Sequence, residues 1–313
     1  SPPTYDGPTR VRRGLAQSKN VMSVRLMRSL GVAQTVEHLT LFGFEKSELP
    51  ENESLSLGSA SLTPLSLITG MSAFANGGYL VQANLIDRVL DVSGQVIYEP
   101  VKLTVIESEE TQIEMAENQM AAPRIISEEN AFLIAESMVS TIWGGGNWSK
   151  GNGWAGTGWR AQKLKRRDLS GKTGTTNKAV DTWFTGFNPH FIATTWVGFD
   201  APGRPLGTTS YNTNLSDSQT FGAEAGAKTA LPGWVEFMAD VLPEVPVKYR
   251  EIPEGIISVR IDRESGLLSR KTDHTMRWEY FVKGTEPTKY SEHSTPIALG
   301  EEKDEIEEEE EIF

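Results

Sequence analysis

Asp168-Leu169-Ser170-Gly171-Lys172-Thr173-Gly174-Thr175-Thr176, then Trp183-Phe184-Thr185-Gly186-Phe187 and Phe191-Ile192-Ala193-Thr194-Thr195-Trp196-Val197-Gly198-Phe199, carry the strongest β signal in the chain. The second and third segments are rich in aromatic and β-branched residues, which suit a pleated surface. They flank Asn188-Pro189-His190, a turn-forming triplet, so a hairpin is predicted there. The 168–176 segment is then the neighbouring strand of the same antiparallel sheet.

Helical signals surround this sheet. Over 9–30, Leu15, Val21, Val24, Met27 and Leu30 share a stripe at helical spacing, and Gly31 supplies a stop. A second helix is predicted over 33–42, ended by Gly43. A third is predicted over 59–76, entered at Thr63-Pro64 and left at Asn76-Gly77-Gly78. Residues 79–86 and 97–105 read as strands connected through Asp91-Val92-Ser93-Gly94, and 106–121, rich in Glu, Gln and Met, as a linker or surface excursion. Ser127 caps a helix running to about Trp143, followed by a glycine- and tryptophan-rich loop over 144–158. A closing helix over 232–242 and a short β region over 256–261 lead into a polar C-terminal extension. Helices in runs around an antiparallel sheet give the α+β class. The domain reading is a main body over 1–242 and an extension over 243–313 that ends in an acidic tail.

The bulk numbers narrow the function. The chain has 313 residues, 38% of them hydrophobic, enough to bury one large core or two small ones. A net charge of −12 argues against a nucleic-acid partner, which needs a concentrated basic face. Much of that acidity sits in the final Gly-Glu-Glu-Lys-Asp-Glu-Ile-Glu-Glu-Glu-Glu-Glu-Ile-Phe block, read as a solvated end. Cysteine is absent, which excludes thiolate catalysis and cysteine-based zinc sites. None of the four histidines is at metal-ligand spacing from another, so neither a metal nor any other cofactor is expected. No apolar run reaches membrane-spanning length.

Two short motifs carry chemistry. Lys172-Thr173-Gly174 on a strand edge offers a positive field, a hydroxyl donor for an anion, and a position where a ligand backbone can approach without a Cβ in the way. Backbone N–H groups on such an edge can also stabilise an oxyanion. In isolation the tripeptide reads as a polar turn at a strand end, and it lacks the upstream glycine of a phosphate loop. Ser18-Lys19-Asn20, placed on the 9–30 helix, supplies a hydroxyl able to relay a proton and an amide able to hold a carbonyl; alone it too reads as an exposed polar turn. Trp143, Trp148, Trp154 and Trp159 could line a cleft or simply pack, and Arg166-Arg167 could draw anionic substrate or stand as a solvated basic turn.

The order of the two motifs, with the second preceding an aromatic hairpin, fits the known signature of penicillin-recognising enzymes. The segments GLAQSKNVMSVRLMRSLG, LGSASLTPLSLITGMSAFANGG, GTGWRAQKLKRRDLSGKTGTTNKAVDTWFTGFNP and TTWVGFDAPGRPLG resemble class A penicillin-binding proteins of the 1a type. The resemblance implies a penicillin-binding fold, related to that of the serine β-lactamases, and a D,D-transpeptidase that cross-links peptidoglycan stem peptides and is acylated by β-lactams. It places the protein at the periplasmic face of the bacterial inner membrane. A membrane anchor and a glycosyltransferase domain are implied upstream, and periplasmic regulators are possible partners. Carried over by position, Ser18 shuttles a proton to the leaving group and Asn20 contacts the acyl-donor amide. Lys172 and Thr173 orient the substrate carboxylate, Gly174 completes the motif, and Thr175 offers backbone groups to the oxyanion hole. One element of the signature departs: no lysine in the chain has a serine three residues before it, so the Ser-x-x-Lys nucleophile is not found, and seventeen residues precede Ser18. The expectation is that this chain alone is inactive, its nucleophile cut off with a segment upstream, carried on another chain, or lost.

Overall fold

The computed structural model describes residues 6–106, 118–201, 203–214 and 220–292. The chain divides into two compact units, Ser1–Ile256 and Ile257–Phe313. In chain order the first unit holds helices α1 (Val11–Ala16), α2 (Asn20–Leu30), α3 (Val32–Thr40) and α4 (Pro64–Ala75), then strands β1 (Val89–Leu90), β2 (Val96–Tyr98), β3 (Lys102–Thr104) and β4 (Gln119–Ala121). It continues with α5 (Glu128–Trp143), β5 (Ser170–Thr175), β6 (Asp181–Phe187), β7 (Ile192–Gly198), β8 (Thr208–Thr209), β9 (Gly222–Ala223) and α6 (Ala230–Val241). β10 (Ile256–Asp262) and β11 (Met276–Val282) pair as a two-stranded sheet.

The decisive stretch folds as its sequence predicts. β5, β6 and β7 form an antiparallel sheet in that order, with Lys172 opposite Thr185 and Thr185 opposite Thr194. The β6–β7 turn is fixed by Asn188, whose side-chain oxygen accepts from the backbone N–H of His190 at 3.0 Å and of Phe191 at 2.8 Å. Alternation along β6 sends Phe184 and Phe187 to opposite faces. Phe184 packs with Leu231, Trp234 and Met238, all from α6, its ring 4.8 Å from that of Trp234 in an edge-on arrangement. Phe187 packs with Ala135 and Met138 of α5 and with Met71 and Phe74 of α4. The sheet is therefore sandwiched between α4/α5 and α6, and burying each large ring contributes roughly 1.5–3 kcal/mol. The α+β class is borne out.

The helix ends follow cap chemistry. Thr63 accepts from Ser66 N at 3.0 Å with Pro64 in the first turn, so α4 starts there rather than at 59. Ser127 accepts from Asn130 N at 3.2 Å and α5 runs to Trp143, as expected. α3 ends two residues before the expected 42, with Gly43 at φ 84° beyond it. α6 begins two residues before the expected 232, taking Pro232 into its first turn.

Other expectations are corrected. The helix predicted over 9–30 is two helices, broken at 17–19. Residues 79–86 are not a strand: Tyr79 makes a single bridge to Arg124, and the hairpin forms from short strands directly flanking the Asp91 turn. The Asp91 carboxylate accepts from Ser93 N at 2.8 Å and Gln95 N at 2.9 Å, so the turn itself fixes where pairing starts. The strand predicted over 97–105 is interrupted at Pro100, which has no N–H for a ladder, and resolves into β2 and β3. Of the predicted linker, 107–117 lie outside the described residues; the part beyond them carries β4, paired in parallel with β3. Within the predicted C-terminal extension, β11 was not anticipated, and the acidic block from 300 onward lies outside the described residues.

Candidate active site

The break between α1 and α2 creates the first half of the site. Ser18 N donates to Leu15 O at 3.1 Å and Lys19 N to Gly14 O at 2.9 Å, the pair of bonds that closes many helix C-termini with a glycine in the left-handed position. Here that position is Ser18, at φ 52°. A non-glycine residue there costs about 1–2 kcal/mol, and such strain persists where the surroundings fix it. The expectation of Ser18 on a continuous helix is thus corrected. Its hydroxyl sits in a turn between two helices, aimed at β5.

Lys172 meets it. The ammonium Nζ donates to Ser18 Oγ at 2.5 Å and to Thr173 O at 2.9 Å, linking motifs 154 residues apart in sequence. Burial pushes the Lys172 ammonium down from its ordinary value to about 8, because losing water penalises the charged form and neither acceptor carries a charge to offset it. Near neutral pH the group is still mostly a cation. A desolvated positive charge thus stands next to a hydroxyl, an arrangement suited to holding an anion and moving a proton.

The remaining motif residues line the same strand. Thr173 Oγ1 lies 2.7 Å from Thr157 Oγ1. Gly174 stands opposite Trp183, where an added Cβ would come within 3.1 Å of the tryptophan Cβ. Thr175 Oγ1 accepts from Gly226 N at 2.9 Å, so its side chain is engaged by the turn before α6. Asn20 opens α2, is exposed, and lines a shallow depression of about 350 Å³ with Val21, Val24, Arg25 and Arg28. Among the described residues no hydrogen bond joins Asn20 to the Ser18–Lys172 pair.

Two contributors were missed from sequence. The first is Thr157, in the tryptophan-rich loop. Its N–H donates to Ala16 O at 3.0 Å, Gly158 N donates to Thr141 O at 2.8 Å, and Gly156 is so tight against the end of α5 that a Cβ would lie 2.1 Å from Thr141 O. The Gly-Thr-Gly spacing was the available signal. The second is the turn 224–229. Gly226 sits where a Cβ would be 2.4 Å from Gly174 O, and only glycine fits. Glu224 holds that turn, accepting from Lys228 Nζ at 2.7 Å and from the hydroxyls of Thr209 and Thr229. Burial alone would raise the Glu224 carboxyl, but these donors outweigh it and pull it down to about 2.

The other tempting residues divide between packing and the surface. Arg166 forks onto Asp168 at 2.8 and 2.7 Å and donates to the carbonyls of Leu242, Val245 and Pro246, so it ties the sheet to the segment after α6 and is not a solvated turn. Trp154 is buried, whereas Trp148 and Trp159 are exposed. The guanidinium of Arg167 lies 4.0 Å from the centre of the half-buried Trp143 ring. No group of His, Asp and Glu able to hold a metal occurs among the described residues, and no helix there is long and apolar enough to cross a membrane.

Residues 2–201 match the family model of the penicillin binding protein transpeptidase domain, and 252–296 match that of the penicillin-binding protein 1A C-terminal domain. Penicillin-binding protein 1A of Vibrio cholerae is 52% identical over 299 residues, covering 94% of this chain and 36% of that protein. The Escherichia coli protein of the same name is 38% identical over 342 residues, covering 96% and 39%. The crystal structure of penicillin-binding protein 1A from Haemophilus influenzae superposes with a TM-score of 0.76 at 35% identity, covering 92% of this chain and 42% of that one. The chain therefore spans little more than a third of the length of these curated relatives. PonA1 of Mycobacterium tuberculosis in complex with penicillin V, at 19% identity and a TM-score of 0.54, shares the fold. The chain belongs to the penicillin-binding protein transpeptidase family.

Proposed function

We propose that this chain forms the cleft walls of a serine D,D-transpeptidase that cross-links peptidoglycan stem peptides and is the target of β-lactams. The observation that carries this reading is the Lys172–Ser18 hydrogen bond, with Thr173 beside it on the same strand edge. In this reading Ser18 relays the proton between the lysine side and the departing amine, while Asn20 holds the acyl-donor amide from the exposed start of α2. Lys172 and Thr173 take the substrate carboxylate by charge and by hydroxyl donation. Gly174 lets the peptide backbone lie against β5, and the Thr175 backbone serves the oxyanion. The serine and lysine of Ser-x-x-Lys are not found in this sequence, so covalent acylation requires a segment that supplies them. The work site is the periplasmic face of the inner membrane, where the stem peptides are.

The alternative reading is a binding module that keeps the fold and recognises the ligand without turning it over. Intact-mass analysis after incubation with benzylpenicillin separates the readings. This chain should gain no adduct, and the same chain extended by a segment bearing Ser-x-x-Lys should gain one penicillin mass. An adduct on this chain alone would mean another nucleophile, and none on the extended form would leave the binding module.

A further inference from the structure

We propose that Thr157 positions the hydroxyl of Thr173 so that its one proton is directed at the ligand's carboxylate; this rests on the reading of Thr173 as the carboxylate-binding hydroxyl. A threonine hydroxyl has one proton to donate and two lone pairs to accept with. At 2.7 Å the two hydroxyls share a single hydrogen bond, and either oxygen can be the donor. If Thr173 donates to Thr157, it has nothing left for an anion. If Thr157 donates, the Thr173 oxygen is occupied and polarised as an acceptor, and its own proton is free for the cleft. A bound carboxylate selects the second arrangement.

The fold fixes Thr157 for this task. Its backbone is pinned on one side to the end of α1, next to Ser18, and on the other to the end of α5 through Gly158. Gly156 fits against Thr141 O and Ser140 O at distances no side chain allows. The loop therefore delivers one hydroxyl to β5 and cannot slide away without leaving both helices. Thr157 acts through Thr173 and is a positioning residue.

The test uses this chain and two N-acylated peptides ending in D-alanyl-D-alanine, one with a free carboxylate and one with the terminal carboxamide, titrated by calorimetry. Thr157→Val keeps the side-chain volume and removes the hydroxyl, while Thr157→Ser keeps the hydroxyl. The expected result is that Thr157→Val weakens the carboxylate peptide about tenfold, leaves the carboxamide peptide within about twofold, and that Thr157→Ser retains the original preference. Equal weakening of both peptides, or no weakening of either, would overturn the inference. Wild-type chain that binds neither peptide would overturn the transpeptidase reading, and the inference with it.

Discussion

Replacing Lys172 with methionine removes a charge that the fold pays for. The group's ordinary value of 10.5 falls to about 8 on burial, and each pH unit of difference corresponds to about 1.4 kcal/mol. The sign follows from proton counting. In the unfolded chain the lysine keeps its proton up to 10.5, whereas in the folded chain it releases it near 8. Between those limits the unfolded state binds more protons, so stability rises with pH, by roughly 3 kcal/mol across the window. Below pH 8 the group contributes no slope, since both states carry the charge. The assay is urea denaturation of wild type and Lys172→Met at each pH from 7 to 10, taking the difference so that other titrating groups cancel. The difference should be flat to about pH 8, then move in favour of wild type by about 1 kcal/mol or more per unit. Parallel curves over the whole range would refute the claim that a desolvated ammonium sits against Ser18.

Other outcomes follow from the same geometry. Because Ser18 lies at φ 52°, Ser18→Gly should be more stable than Ser18→Ala by about 1 kcal/mol in thermal or urea unfolding, while both lose the hydroxyl that Lys172 touches. Arg166→Ala should cost about 3–5 kcal/mol in the same assay, since it strands the Asp168 carboxylate in the interior. Burial opposes ionisation of Asp168, but the hydrogen bond from Arg166 wins and holds its carboxyl below the usual range. That contribution is complete above the ordinary carboxylate value and fades as acid approaches the folded one. Glu224 behaves alike: amide protection of Gly226, read by hydrogen exchange, should fall as pH drops from 4.5 toward 2, and Glu224→Gln should abolish that dependence.

The sheet was legible because its signals are local and redundant: aromatic and β-branched runs on either side of an Asn-Pro turn, whereas the packing of Phe184 and Phe187 into opposite cores shows only in the structure. The helix caps at Thr63 and Ser127 were legible for the same reason. The break at Ser18 was not, because a closing turn normally shows itself by glycine, and here a serine occupies the left-handed position within an unbroken apolar period. The motif residues could be named from their order, yet the contact of Ser18 with Lys172 is a tertiary fact no periodicity contains. Thr157 and Gly226 escaped because each acts through a neighbour on β5, and only packing shows which neighbour that is. Arg166 read as a surface charge because its carbonyl partners lie about eighty residues away.

The claim at the centre is that Ser18, Lys172 and Thr173 wall one cleft for a peptide carboxylate. The most direct measurement is a titration of isotope-labelled chain with an N-acylated D-alanyl-D-alanine peptide, followed through its backbone amide resonances. The account predicts shifts concentrated at 172–175 and 18–20, reduced in Lys172→Met, with the β10–β11 unit unmoved. Saturable binding whose shifts avoid β5 and the α1–α2 break would contradict it.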